Sequence, residues 1–189
     1  MDSRKQLLNA ACRLLEKKSF DRLTVQEVLD QSGVSRATFY RHFKDKYDLI
    51  QIFYCDRVDE ILGRFDGSNM LTLTQEVYTF LLTYRSFFDN VSRFEGDNSF
   101  WNFLYVYISD FYKKTYLYNT GSHPLLPEEQ YRLHYETAGT ISVMKKWIRD
   151  GMLLSPEEIA RISCHLCPME YQAHSSQHKI QAQEPLYSY

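Results

Sequence analysis

"SGVSRATFYRHFKDK", Ser32 to Lys46, places four cations, one histidine and three aromatics in fifteen residues behind a Ser-Gly pair. Ser35 is a good N-cap, so a short helix is expected over "RATFYRHF". Phe39 and Phe43, four residues apart, share one face of that helix and should point inward. Just upstream, "TVQE" reads as a capping box. Thr24 caps the amide of Glu27, and the Glu27 side chain reaches back. Val25, Val28 and Leu29 give this first helix an apolar face over barely two turns. Gly33 then ends it, free to take the left-handed conformation. Two short helices joined by a tight glycine turn, the second basic and aromatic, form a helix-turn-helix pattern.

In that reading the first helix braces the second across a nucleic-acid backbone. Ala37 and Arg41 lie opposite the buried Phe39/Phe43 pair, flanked by Thr38 and Tyr40. Arg36 occupies the first turn, the part of such a helix that enters the major groove. Its guanidinium suits the two acceptors of a guanine edge, and the methyls of Ala37 and Thr38 suit thymine. Tyr40, His42 and Lys46 are placed to donate to phosphates. Periodicity alone leaves a second reading open, an ordinary helical pair with a basic solvated face. The longer run "RLTVQEVLDQSGVSRATFYRHFKDKYDL" decides between them, because it resembles the signature of the TetR family of transcriptional regulators. Thr24, Val25, Gly33, Val34, Ser35, Thr38, Phe39, Tyr40, His42, Phe43, Lys46 and Leu49 stand where that signature asks. Leu29, where many relatives have Ala, is a difference of packing. The resemblance implies phosphate contacts from Thr24, Ser35, Tyr40, His42 and Lys46. It further implies base reading by Arg36, Ala37, Thr38 and Arg41, and a homodimer on double-stranded operator DNA.

Working outward, the charge balance agrees but is weak support. Residues 1–50 carry ten Lys/Arg against seven Asp/Glu, while residues 51–189 carry twelve against seventeen. A mildly basic head thus precedes an acidic body. The 189 residues hold only five Pro and seven Gly, which favours long elements over a loop-rich sandwich. No strand pattern and no internal repeat is found, so the fold class is all-α; the resemblance implies an N-terminal three-helix helix-turn-helix domain plus a helical ligand-binding and dimerisation domain. No apolar run approaches the roughly 18 residues of a membrane span, and four scattered cysteines make no disulfide scaffold. A cytoplasmic protein with reduced thiols is expected, with no membrane partner and no cofactor.

The opening segment repeats Leu7, Leu8, Ala11, Leu14 and Leu15 at helical spacing and forms the first of the three helices. Asp45 caps a connector helix over about 46–65. Residues 1–48 are therefore read as the DNA-binding domain, 49–173 as the regulatory and dimerisation domain, and 174–189 as a flexible tail. Helices are expected at roughly 72–94, 99–118 and 128–149, the last stopping at Gly151. "SPEE" at Ser155 opens another, with Pro at its first position.

Between Thr72 and Tyr118 there are 15 aromatics in 47 residues. They make a large core or, as the family resemblance implies, an apolar effector pocket; the pocket candidates are Tyr84, Phe87, Phe88, Trp101, Tyr105, Phe111 and Tyr112. Arg85, Arg93, Lys113 and Lys114 are the few cations of the segment; they suit an acidic ligand or, the favoured reading, the solvated surface. The segment from Tyr131 to Ile162 resembles the C-terminal domain of a TetR subgroup that includes dihydroxyacetone-kinase operon activators. Ala138 and Gly139 remove bulk from a helix face. With Ile141, Met144, Ile148, Ile159 and Ile162 they suit a two-fold four-helix dimer interface, the alternative being close packing inside one subunit. Cys164, Cys167, His174 and His178 give C-x2-C-x6-H-x3-H, but zinc fingers separate the pairs by about a dozen residues, so no metal is favoured. No nucleophile–base pair or phosphate loop stands at interpretable spacing, which argues against an enzyme. The function expected is a dimeric, effector-controlled, sequence-specific DNA-binding regulator. The alternatives are a co-regulator acting through protein contacts, or a metal- or thiol-responsive regulator.

Overall fold

The computed structural model describes residues 2–65, 69–121 and 124–166. Among them are nine α-helices and no strand. The helix-turn-helix domain consists of α1 (Ser3–Leu15), α2 (Val25–Ser32) and α3 (Arg36–His42), with a 3-10 turn at Phe20–Arg22. The connector α4 (Lys46–Arg64) leads into α5 (Met70–Thr83), α6 (Arg85–Ser92), α7 (Phe100–Thr120), α8 (Pro127–Arg149) and α9 (Pro156–Leu166).

Local chemistry sets the ends of the short helices. Thr24 and Glu27 form the capping box in both directions, and Gly33 closes α2 at φ 69°. Ser35 caps α3 by accepting from the Thr38 amide. Asp45 accepts from the amides of Tyr47 and Asp48 at the start of α4. Leu7, Ala11 and Leu15 of α1 are fully covered, as is Phe39; Val28 and Phe43 are 1% exposed. These side chains form the core of the small domain, and its remaining surface is left to polar groups.

The expected helix over 72–94 is two helices, α5 and α6, meeting at Tyr84 (φ −107°, ψ 36°). The Thr79 and Thr83 hydroxyls donate to the carbonyls of Gln75 and Thr79, four residues back. Such back-bonding loosens the last turns of α5, and the break at Tyr84 comes without the Gly or Pro that would announce it in sequence. The break lets α6 lie on α1, where Asn90 Nδ2 donates to Leu15 O at 2.7 Å. Phe94, just beyond α6, stacks against Phe20 and Tyr47 at 5.5 and 5.6 Å between ring centres.

Candidate nucleic-acid interface and effector cavity

The α3 surface divides as the periodicity requires. Phe39 and Phe43 face the core, whereas Arg36, Ala37, Tyr40 and Arg41 are exposed and Thr38 is partly so. Tyr40 is 52% exposed, a high value for a tyrosine beside a core phenylalanine it touches edge-on. Arg36 donates to Gln26 Oε1 at 2.5 Å, and Gln26 in turn donates to Asp30 at 2.8 Å. Gln26 therefore shares the outer surface with the recognition helix; nothing in its spacing singles it out. His42 pairs with Ser3 Oγ at 3.0 Å, and Ser35 donates to Thr38 Oγ1 at 2.9 Å. Thr24 is exposed, with its hydroxyl held by Glu27. The bond from Lys18 and those from Thr24 hold the Glu27 carboxyl at a pKa of about 2.

Lys46 departs from expectation. Its ammonium donates to the carbonyls of Phe20, Asp21 and Leu23 at 3.1, 3.1 and 2.9 Å. It also lies over the Phe20 ring at 4.8 Å. All three protons are engaged by the carbonyl end of the 3-10 turn, so in this structure the side chain ties α4 to the preceding turn. Burial lowers its pKa, opposed by the nearby Asp21.

The larger body holds a partly open cavity of about 110 Å³. Tyr54, Val58 and Leu62 of α4 form one wall, facing Leu73, Thr74, Val77 and Tyr78 of α5. Tyr107, Ile108, Phe111 and Tyr112 of α7 form another. Thr140 and Met144 of α8 close it with Ser163 and Cys164 of α9. Of the aromatics expected here, Phe111 and Tyr112 line it. Phe87 and Phe88 are buried core instead, and Trp101 is buried with its indole N–H on Ser92 O at 2.8 Å. Tyr84 borders a separate open groove between α4 and α5, and the Tyr105 hydroxyl bonds His134. Tyr54, Tyr78 and Tyr107 were not singled out by composition, which ranks rings without saying which face they take. Hydroxyl pairs cross the walls: Tyr112 with Thr140 at 2.8 Å, and Tyr78 with Ser163 at 2.8 Å.

The expected dimer residues split in the same way. Met144, Ile148 and Ile159 are 3%, 1% and 4% exposed, covered by their own chain. Ile141 is partly covered, while Ala138, Gly139 and Ile162 are exposed. Tyr131 and Tyr135 continue the Ala138 stripe at helical spacing and are 78% and 79% exposed. Of the Cys/His set, Cys164 donates to Thr74 Oγ1 at 3.5 Å; Cys167, His174 and His178 lie outside the described residues.

A braced helix-turn-helix joined by one connector to a helical body with an apolar cavity defines a helical DNA-binding regulator. The comparisons place it more closely. Residues 7–51 match the family described as bacterial regulatory proteins, tetR family, and residues 68–167 match a transcriptional regulator C-terminal region. The second match covers just over half of the 189 residues. This chain belongs to the TetR family, whose members are DNA-binding transcription regulators and not enzymes.

Among its relatives, the uncharacterized HTH-type transcriptional regulator YxbF of Bacillus subtilis (strain 168) is 27% identical over 168 residues, 82% of this chain and 42% of that one. YvkB of the same organism is 40% identical over 47 residues, 25% of each chain. The match thus spans less than half the length of these relatives. The fold is similar to that of the dihydroxyacetone kinase operon activator DhaS. That likeness has a TM-score of 0.64 at 16% identity and covers 87% of this chain and 93% of the other. A TetR transcriptional regulator from Streptococcus agalactiae 2603V gives 0.63 at 15% identity, over 87% and 92%.

Proposed function

We propose that this chain acts as a homodimer that binds a pseudo-palindromic operator and releases or tightens its hold when a small molecule occupies the cavity. Residues 1–48 bind DNA in this reading, and residues 49–173 dimerise and sense. The observation that carries it is the sorting of α3: two phenylalanines anchor the helix from behind while Arg36, Ala37, Tyr40 and Arg41 face outward. Two such helices would enter successive major grooves about 34–36 Å apart. Arg36, Ala37, Thr38 and Arg41 read bases; Thr24, Ser35, Tyr40 and His42 contact phosphates, and Gln26 moves from Arg36 to the DNA. The exposed stripe of Tyr131, Tyr135, Ala138 and Gly139 on α8, with Ile162 on α9, meets its two-fold copy.

Coupling runs through α4. Asp56 holds Arg4 of α1 with two contacts of 2.7 Å. Less than one turn later, Asp59 holds Tyr107 of the cavity wall at 2.7 Å. An effector acts to the extent that it prefers one position of α4, and hence one separation of the recognition helices. Operator DNA places the protein in the cytoplasm, and among the described residues no helix is long and apolar enough to cross a membrane. Fluorescence anisotropy with mixed-sequence duplexes over a salt series tests the reading. Salt-dependent binding supports it; no binding at low salt supports a co-regulator that works through protein contacts.

A further inference from the structure

The cavity chemistry narrows the effector class, an inference that rests on the cavity being the effector site. None of the described residues lining the cavity carries a charge; its walls are aliphatic, aromatic, thioether, thiol and hydroxyl. The four cations of the 72–118 segment lie on the surface, the favoured of their two expected places. Arg93 pairs with Asp89 and Lys114 with Asp110 on the surface, and Arg85 and Lys113 are exposed. The nearest carboxylate joined to the wall, Asp59, already accepts from Tyr107. An anion entering here would lose its hydration with no cation in return, and a cation would meet no carboxylate among the lining groups.

The polar atoms are not evenly engaged. Tyr78 and Ser163 hold two hydroxyl protons but share a single bond of 2.8 Å. Tyr78 is 2% exposed, and neither hydroxyl has another protein partner among the described residues. Ser163 is half-buried, so the spare proton of the pair is open to water or to an acceptor that displaces it in the cavity. The volume of about 110 Å³ is of the order of the engineered cavity, roughly 150 Å³, that holds a benzene ring.

We infer that the effector is a neutral molecule about one aromatic ring in size, bearing a hydrogen-bond acceptor that the Tyr78–Ser163 pair recognises. Tyr54 and Phe111 supply ring faces against which it packs, and Met70 and Met144 supply adaptable thioether contacts. An aryl ketone, ester or ether has this chemistry; an aryl carboxylate or an amine does not.

The test uses the full chain and four probes of one size: acetophenone, toluene, benzoate and benzylammonium. Binding is measured by calorimetry and ligand-observed NMR. Acetophenone is expected to bind at least about tenfold more tightly than either ion, for want of a charge partner. Val77→Phe, which fills the cavity, should remove that binding. Ile108→Phe makes the same test if Val77→Phe melts early. The double variant Tyr78→Phe/Ser163→Ala, which removes both hydroxyl protons, should weaken acetophenone about fivefold and leave toluene unchanged, the loss of one hydrogen bond. If benzoate or benzylammonium binds as tightly as acetophenone and is displaced by Val77→Phe, the neutral class is wrong while the cavity remains the effector site. If the double variant weakens acetophenone and toluene alike, or weakens neither, the acceptor assignment is wrong. If no probe at millimolar concentration shows binding that a filling variant removes, the effector-site reading fails, and this inference with it.

Discussion

Tyr107 donates its hydroxyl to Asp59 at 2.7 Å, joining the wall of the cavity to the connector helix that carries the DNA-binding domain. Burial raises the pKa of the Asp59 carboxyl, and the Tyr107 bond lowers it in part. The bond thus favours the charged carboxylate in a half-buried place. Tyr107→Phe is expected to cost about 1–3 kcal/mol by leaving that carboxylate without its donor. The sign follows from the raised pKa. The Asp59 contribution is fully present below the unfolded value of 3.8 and is lost as pH rises through the folded value, so the variant's deficit should be larger at pH 7 than in acid. Urea denaturation at the two pH values measures this. Effector should still bind the variant, with a weakened effect on operator affinity.

Lys46→Met should destabilise the helix-turn-helix domain by about 2–4 kcal/mol, because three carbonyls lose a charged donor. Operator affinity per folded molecule, and its salt slope, should be unchanged if the ammonium keeps these three carbonyls on the operator. A slope smaller by about one would return Lys46 to the DNA surface.

Glu27 makes the opposite kind of pH prediction. Its folded pKa of about 2 lies below the usual 4.5, so its contribution is present above pH 4.5 and is lost as pH falls through about 2. Glu27→Gln should cost about 1 kcal/mol near neutrality, a value reduced because the side chain is 40% exposed and its Lys18 partner is screened by solvent. That cost should disappear by pH 2, as read from acid denaturation followed by circular dichroism.

Ala138→Glu places a charge in the middle of the exposed α8 stripe. The dimer should dissociate in sedimentation equilibrium, and operator binding should fall steeply because one recognition helix reads too little sequence alone. The subunit should remain folded, since Ala138 is exposed. Substitution of Met144 or Ile148 should instead lower stability through the subunit's own core.

Capping chemistry made the small domain legible in sequence. Thr24, Glu27, Gly33, Ser35 and Asp45 each declare a helix end by residue type, and the Phe39/Phe43 spacing declares a face. The larger body was legible only as helices. Which of its rings line the cavity depends on the helix break at Tyr84, where no Gly or Pro marks the change and a periodicity reading runs on. Phe87 and Phe88 turn into the core on one side of that break, while Tyr78 stays at the cavity on the other. Lys46 shows a similar limit. A lysine at a helix start predicts an anion contact, and only the three-dimensional path of residues 20–23 reveals carbonyls that take its protons first.

The central claim is that the exposed face of α3 reads DNA as one half of a two-fold pair. Selection of bound duplexes from a random pool, repeated with Arg36→Ala, tests it most directly. The account predicts an inverted repeat with half-site centres about 10–10.5 base pairs apart, or a multiple of that spacing. It also predicts a loss of about 1–3 kcal/mol with Arg36→Ala, confined to one position in each half-site. Enrichment of no sequence, or an enriched site that Arg36→Ala reads unchanged, would contradict it.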